Sequence, residues 1–292
     1  MDERASTGLL GATSLVGECV VSRLSKNGRH TVAFSRHPPD GNTKVGVTWL
    51  QLPASLPTPP EIPPIKDWLC VAPIWVFPQY FGMMEASGAR RVVALSSTSL
   101  FVKKDSSDHG EQHIARGLAE GERALRAWAE ARGVEWVILR PTLIYGHGRD
   151  KNLTEIVRFV RRWGFFPLLG QAKGLRQPVH AEDVAMACVS ALTLHAAANQ
   201  TYNLSGGETL SYREMVRRTF DVLGKVPHLV TIPRWLFRLA VTALCLLPRY
   251  RYWTVEMAER MNRDLVFDHA DAARDLGFSP RSFVLSPDDL PA

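Results

Sequence analysis

The sequence predicts a doubly wound α/β protein, a parallel sheet covered by helices on both faces, with a small C-terminal lobe. Three observations carry that expectation. A short apolar strand runs through a glycine turn into an amphipathic helix at Leu9-Leu10-Gly11-Ala12-Thr13-Ser14-Leu15-Val16-Gly17. Strand-like and helix-like stretches then alternate as far as Gly146, the rhythm of parallel strands joined by crossover helices. Past Gly146 the alternation breaks, and a second unit is expected to begin.

The first helix, from about Ser14 to Asn27, gathers Leu15, Val16, Cys19, Val20 and Leu24 on one face, and Gly28 is suited to close it. Its turn offers backbone N–H groups and the positive end of a helix to a pyrophosphate. Ser14 stands where a dinucleotide fingerprint places its middle glycine. Thr31 to Phe34 reads as the second strand, ending in Ser35-Arg36, where a dinucleotide fold tests the adenosine ribose. A guanidinium at Arg36 suits a 2′-phosphate, so NADP is expected, with NAD the alternative and a solvated strand-end arginine the bland reading.

Val47 to Leu52 reads as a third strand. Six prolines between Pro53 and Pro64 then preclude a full crossover helix. Trp68 to Ala72 is a buried strand with Ala72-Pro73 at its carboxyl end, facing the crevice. A helix over Gln79 to Ser87 leads to a strand, Arg91 to Leu95, that ends in Ser96-Ser97-Thr98-Ser99. His109-Gly110 is expected to precede a long helix, Glu111 to Arg132, whose apolar line is Ile114, Leu118, Leu125 and Trp128. Gly133 ends it, and Val134 to Leu139 is the next strand, closing in Arg140-Pro141-Thr142-Leu143-Ile144-Tyr145-Gly146.

Beyond lie a helix from Asn152 to Trp163, a glycine-containing loop from Gly164 to Pro178, and a helix from Ala181 to Leu194 preceded by His180. Thr201 to Leu204 is expected as the last strand of the main sheet. Ser211-x-x-Glu214 opens a helix to Leu223 as a capping box, and short helices with two short strands are expected to follow. The predicted dinucleotide-binding domain is therefore 1–146, with 178–206 returning to its sheet. The smaller substrate lobe comprises 147–177 and 207–292.

Net charge is +6 (35 minus 29), but the basic residues are scattered, and a solvated face is preferred over a nucleic-acid surface. The four cysteines lie far apart without a C-x-x-C pair, which argues against a zinc site or a disulfide framework and for a reducing, cytoplasmic setting. Met1 to Ser6 carries no apolar run, so no signal peptide is expected. Within 233–253, Leu239 to Leu247 is uncharged and has aromatic and basic flanks. The 14 residues between Pro233 and Pro248 fall short of the roughly 20 a spanning helix needs. A helix roofing the pocket is preferred there over peripheral membrane contact.

Five landmarks in order resemble the short-chain dehydrogenase/reductase superfamily, in its extended epimerase/dehydratase branch. They are L-G-A-T-S-L-V-G (10–17), Ser-Ser-Thr (96–98), L-R-P-T-L-I-Y-G (139–146), R-Q-P-V-H-A-E-D-V-A (176–185) and T-Y-N-L-S-G-G-E (201–208). The resemblance implies a Rossmann-like sheet binding the dinucleotide through Gly11, Thr13, Ser14, Leu15, Val16, Gly17, Ser35, Arg36, Ala72, Pro73, Ser96, Pro141 and Ile144. It places Ser97 and Thr98 at the catalytic hydroxyl position, where capping a strand end is the equal alternative. Tyr145 and Arg176 fall at substrate positions, Arg176 where the branch holds a substrate phosphate.

The family's acid–base pair is Tyr-x-x-x-Lys. Anchored on Glu122, its slots fall at Ile114 and Leu118, and no tyrosine occurs between Tyr80 and Tyr145. That resembles the atypical members that keep the dinucleotide fold without the pair. His109, Glu111 and His113 could replace it, though a solvated helix start is preferred; Lys103 and Lys104 are further substitutes. His180 and Asp183 read as structural residues. The implied function is an NADP(H)-dependent oxidoreductase or epimerase of a nucleotide-sugar-like small molecule. The alternative is a non-catalytic dinucleotide-binding accessory, assembly or redox-sensing protein.

Overall fold

The computed structural model describes residues 6–39, 45–52, 62–233 and 259–291. Most of the proline-rich stretch and all but Pro233 of 233–253, where membrane contact was considered, lie outside them. The chain opens with β1 (Thr7–Leu10), α1 (Leu15–Lys26), β2 (Thr31–Ser35), β3 (Val47–Gln51) and β4 (Asp67–Cys70). Next come α2 (Phe81–Ala86), β5 (Arg91–Leu95), α3 (Ser99–Lys103), α4 (His109–Arg132) and β6 (Glu135–Pro141). The later elements are β7 (Ile144–Tyr145), α5 (Leu153–Trp163), β8 (Phe166–Leu169), β9 (Leu175–Arg176), β10 (Val179–His180) and α6 (Ala181–Ala191). They are followed by β11 (Gln200–Leu204), β12 (Leu210–Ser211), α7 (Tyr212–Val222) and β13 (Leu229–Ile232).

Seven strands form one sheet in the order β11-β6-β5-β4-β1-β2-β3, every pairing parallel. Parallel strands covered on both faces need apolar residues on both, and β1 and β5 are buried along their length. Alternation along β1 sends Leu9 to the core beneath α1 and α6, and Leu10 to the core beneath α4. Sheet order reverses at β1, whose neighbours are β2 and β4. The carboxyl ends of β1 and β4 thus flank the switch point at which such sheets bind ligands.

A third core, built on Ile156, Val160, Phe166, Met215, Phe220 and Phe283, belongs to the smaller lobe. Although it follows the lobe in sequence, the helix Ala270–Leu276 packs through Ala272 and Leu276 into the core shared with α6 and β11. Three local expectations are corrected. The helix expected over Gln79 to Ser87 is α-helical only over Phe81–Ala86; Gln79 and Tyr80 end a 3₁₀ stretch, Ile74–Tyr80, in which Pro78 lacks the N–H that a continuous α-helix would need. The loop expected over 164–178 contains β8 and β9, which pair with β13 and β12 across long sequence separations. His109 and Gly110 do not precede α4 but open it, because Asp108 is the N-cap and accepts from the Glu111 N–H at 3.0 Å. Among the described residues no helix is long and apolar enough to cross a membrane.

Candidate functional site

The turn after β1 is held by close backbone contact. Gly11 has φ +84°, and a Cβ there would lie 2.6 Å from the Ala72 nitrogen. A Cβ on Gly17 would lie 2.2 Å from the Gly11 carbonyl oxygen. Gly8, which sequence reasoning passed over, lies flat on Trp68, whose ring would be 2.6 Å from a Cβ. Ser14 is the N-cap of α1, and its Oγ accepts from the Gly17 N–H at 3.0 Å. The serine that replaces the middle glycine therefore fits the turn by capping the helix.

A cavity of about 700 Å³ opens at this turn and runs along the carboxyl ends of β1, β4, β5 and β6 into the lobe. Ser14, Leu15, Val16, Ala72, Pro73, Ser96, Pro141 and Ile144 line it, as do Ser97, Thr98 and Arg176. Gly11 and Gly17 shape its floor without lining it, and Thr13 offers its carbonyl to Arg149 Nη2 at 3.1 Å. Ser35 and Arg36 end β2 outside the cavity lining. Ser35 Oγ donates to the His37 carbonyl at 2.9 Å, while Arg36 is exposed. The glycines let the chain turn tightly against Ala72 and enter the N-terminus of α1 directly, an arrangement that fits a dinucleotide pyrophosphate.

The two hydroxyls expected at the catalytic position are engaged in local structure. Thr98 Oγ1 donates to the Pro141 carbonyl at 3.2 Å, and Ser97 Oγ accepts from the Ser99 N–H at 3.1 Å. Behind them lies a buried network. Ser96 Oγ donates to Glu122 at 2.6 Å, and Glu122, 1% exposed, also receives Arg140 Nε at 2.8 Å and Arg126 Nη2 at 3.1 Å. One carboxylate on α4 thereby ties the ends of β5 and β6 at the cavity wall.

Tyr145 is corrected as a substrate residue. Strand alternation in β7 leaves Ile144 on the cavity and turns Tyr145 into the lobe core, edge-on to His180 and Phe283. Burial, reinforced by Asp289, pushes its phenol up to about 12. His109 and His113 are exposed and line no part of the cavity. Glu111 between them turns inward, accepting from Ser106 Oγ at 2.8 Å and pairing with Arg260.

Arg176 does line the cavity, but its guanidinium donates to the carbonyls of Leu175 at 2.7 Å, Arg263 at 2.8 Å, and Arg260. It lies over the Tyr212 ring, and among the described residues no carboxylate pairs with it. Burial holds its pKa down to about 10, Arg260 adding to the effect and Tyr212 opposing it. The titratable side chains lining the cavity are Lys103, Arg149, Lys151, Arg176, Arg260, Asp150 and Tyr212. Asp150 caps α5, accepting from Leu153 N–H at 2.6 Å and Asn152 N–H at 2.9 Å. Five of the lining side chains are cations and one is an engaged carboxylate, with Glu18 paired to Arg149 and Glu111 to Arg260 from outside the lining, so the lining carries an excess of positive charge that suits an anionic ligand. Arg149 and Arg260 were missed in the sequence because loop arginines far apart in the chain carry no periodic signal.

Residues 81–205 match the NAD dependent epimerase/dehydratase family. The chain is 27% identical over 162 residues to a UDP-glucose 4-epimerase of Vibrio cholerae, covering 52% of this chain and 49% of that one. It is 31% identical over 127 residues to the mitochondrial NADH dehydrogenase [ubiquinone] 1 alpha subcomplex subunit 9 of Arabidopsis thaliana, covering 41% and 31%. The chain thus spans about half or less of the length of these curated relatives. In fold it is similar to MoeE5 in complex with UDP-glucose and NAD, with TM-score 0.68, 21% identity and coverage of 95% and 94%. With the sheet order and the five landmarks, these matches make the chain similar, through residues 81–205, to the NAD dependent epimerase/dehydratase family, and its fold is that of the epimerase structures it resembles.

Proposed function

We propose that the protein binds a nicotinamide dinucleotide along the glycine turn and a sugar nucleotide in the lobe-side half of the same cavity, and interconverts the sugar by reversible oxidation. The observation that carries this reading is the continuity of one basic cavity from Ser14 to Arg176 and Arg260. Two diphosphates end to end would meet Arg149 and Lys151 at one end and Arg176, Arg260 and Lys103 at the other. The dinucleotide, when bound, supplies hydride acceptance and return. The chain's own residues hold the substrate, exclude water and move the hydroxyl proton.

Lys103 is the side chain we assign to that proton. Arginines stay charged, Asp150 is committed to its helix, and Tyr212 is pushed up to about 12 by burial. The Lys103 side chain is 21% exposed, and burial lowers its pKa despite Glu111 at 4.0 Å. A neutral lysine accepts the hydroxyl proton as the carbon loses hydride, and returns it on the reverse step. Lys103→Met is expected to cut turnover by roughly 10²–10⁴-fold and to remove the rise of rate with pH that a deprotonating base gives. Unchanged turnover and an unchanged pH profile would remove Lys103 from the reaction.

NADP is the proposed cofactor, on Arg36 at the end of β2. Arg36→Asp should weaken NADP by about tenfold or more, the loss of a charge-assisted contact, and leave NAD little affected. Equal loss of both dinucleotides, measured by titration, refutes the 2′-phosphate pairing. A binding-only role is the second reading, favoured by Ile114 and Leu118, apolar residues that line the cavity where the family resemblance expects the tyrosine and lysine.

A further inference from the structure

Arg149 is anchored in the lobe but reaches across the crevice to the glycine turn. Its Nη2 donates to the Thr13 carbonyl at 3.1 Å, and its Nη1 lies 2.5 Å from Glu18 Oε2, in the first turn of α1. The loop that carries it is fixed behind. The His147 N–H donates to Asp289 at 3.2 Å, and a Cβ at Gly148 would lie 2.3 Å from the Leu290 carbonyl oxygen. The guanidinium itself is not fixed in this way, since its side chain is 44% exposed and Glu18's is 50% exposed. Exposed ion pairs of this kind hold their partners weakly, and a stronger anion displaces them.

The turn also has an electrostatic deficit. The Gly17 N–H, one of the free donors at the start of α1, is taken by Ser14 Oγ. Glu18 places a carboxylate in the same first turn, where it stabilises the helix dipole but repels any other anion arriving there. A pyrophosphate at this N-terminus therefore meets fewer N–H groups and one negative charge. The cation that could offset both is already beside them, lining the same cavity as Ser14, Leu15 and Val16.

We infer that Arg149 is a clasp for the dinucleotide pyrophosphate, exchanging Glu18 and the Thr13 carbonyl for two phosphate oxygens when the cofactor binds, with Glu18 as the competing anion. The planar fork of arginine suits bidentate capture of phosphate. This inference rests on the proposed dinucleotide site.

The test is titration of the full-length protein and two variants with NADP and NAD, alongside adenosine, which lacks the pyrophosphate. Arg149→Gln is expected to weaken both dinucleotides by roughly 10- to 100-fold and leave adenosine unchanged. Glu18→Gln is expected to tighten dinucleotide binding by several-fold, because it removes the competitor. Both variants break the same ion pair, so a purely structural tie would move them in the same direction; that result overturns the clasp. Equal loss of adenosine and dinucleotide in Arg149→Gln also overturns it, since the pyrophosphate would then not be the group recognised. A wild-type protein that binds neither dinucleotide refutes the underlying functional reading instead, and the clasp falls with it.

Discussion

Alanine at Gly17 is expected to weaken dinucleotide binding by about 100-fold or more and to lower stability by ~1–3 kcal/mol. The added Cβ would sit 2.2 Å from the Gly11 oxygen and 2.8 Å from Ala12 Cα, all backbone atoms that no rotamer change can move aside. The turn has to open, and the first turn of α1 shifts relative to the end of β4, beyond which the Ala72 nitrogen packs on Gly11. Urea unfolding and dinucleotide titration measure the two effects separately. A Gly17→Ala protein with wild-type affinity would show that the cofactor does not use this turn.

Loss of the Glu122 carboxylate should produce the largest change in stability. Glu122→Ala leaves Arg140 and Arg126 without their common partner and Ser96 Oγ without its acceptor, on a side chain that is 1% exposed. Breaking a buried charge network by removing one member costs about 3–5 kcal/mol. Arg140 also lies 5.0 Å over the Phe101 ring of α3, whose Val102 and Lys103 line the cavity, so its release disturbs the site as well as the core. A denaturant midpoint shift corresponding to less than about 1 kcal/mol would mean that solvent replaces the carboxylate and that the network is not a clamp.

The two effects differ in how far the sequence could reveal them. The glycine turn was legible because its chemistry is local: a strand, two close backbone approaches and a helix start within nine residues. The sheet was legible for a similar reason, since buried parallel strands are continuous apolar runs ending in small or polar residues. The Arg91 to Leu95 strand and its Ser96-Ser97-Thr98 ending fall where the pattern put them.

What failed was decided by tertiary contact. The helix expected from Gln79 starts at Phe81 because a 3₁₀ stretch runs to Tyr80, and β8 and β9 exist only because β13 and β12 reach them from far along the chain. Tyr145 was placed at the substrate by its neighbourhood in sequence, yet a two-residue strand sends adjacent side chains to opposite faces. Glu122 served only to set the register of α4. Its arginine and serine partners come from β5, β6 and one turn further along α4, and no spacing rule announces such a cluster.

The cationic end of the cavity was partly visible. Arg176 was expected to hold a substrate phosphate, and it does line the cavity, although three carbonyls already engage its guanidinium. Arg260, which pairs with Glu111 beside it, comes from a 3₁₀ turn late in the chain and shows no sequence pattern of its own.

The central claim is that one basic cavity brings a nicotinamide dinucleotide and a sugar nucleotide together for hydride exchange. The most direct measurement is nicotinamide absorbance, followed with NADP⁺ or NAD⁺ present while UDP-hexoses are added one at a time. The predicted result is conversion of at least one UDP-hexose to its interconverted sugar nucleotide, with reduced nicotinamide appearing only transiently because the hydride is returned. Saturable dinucleotide binding with no reduction and no sugar interconversion across the panel would contradict catalysis and leave the binding-only role that Ile114 and Leu118 favour.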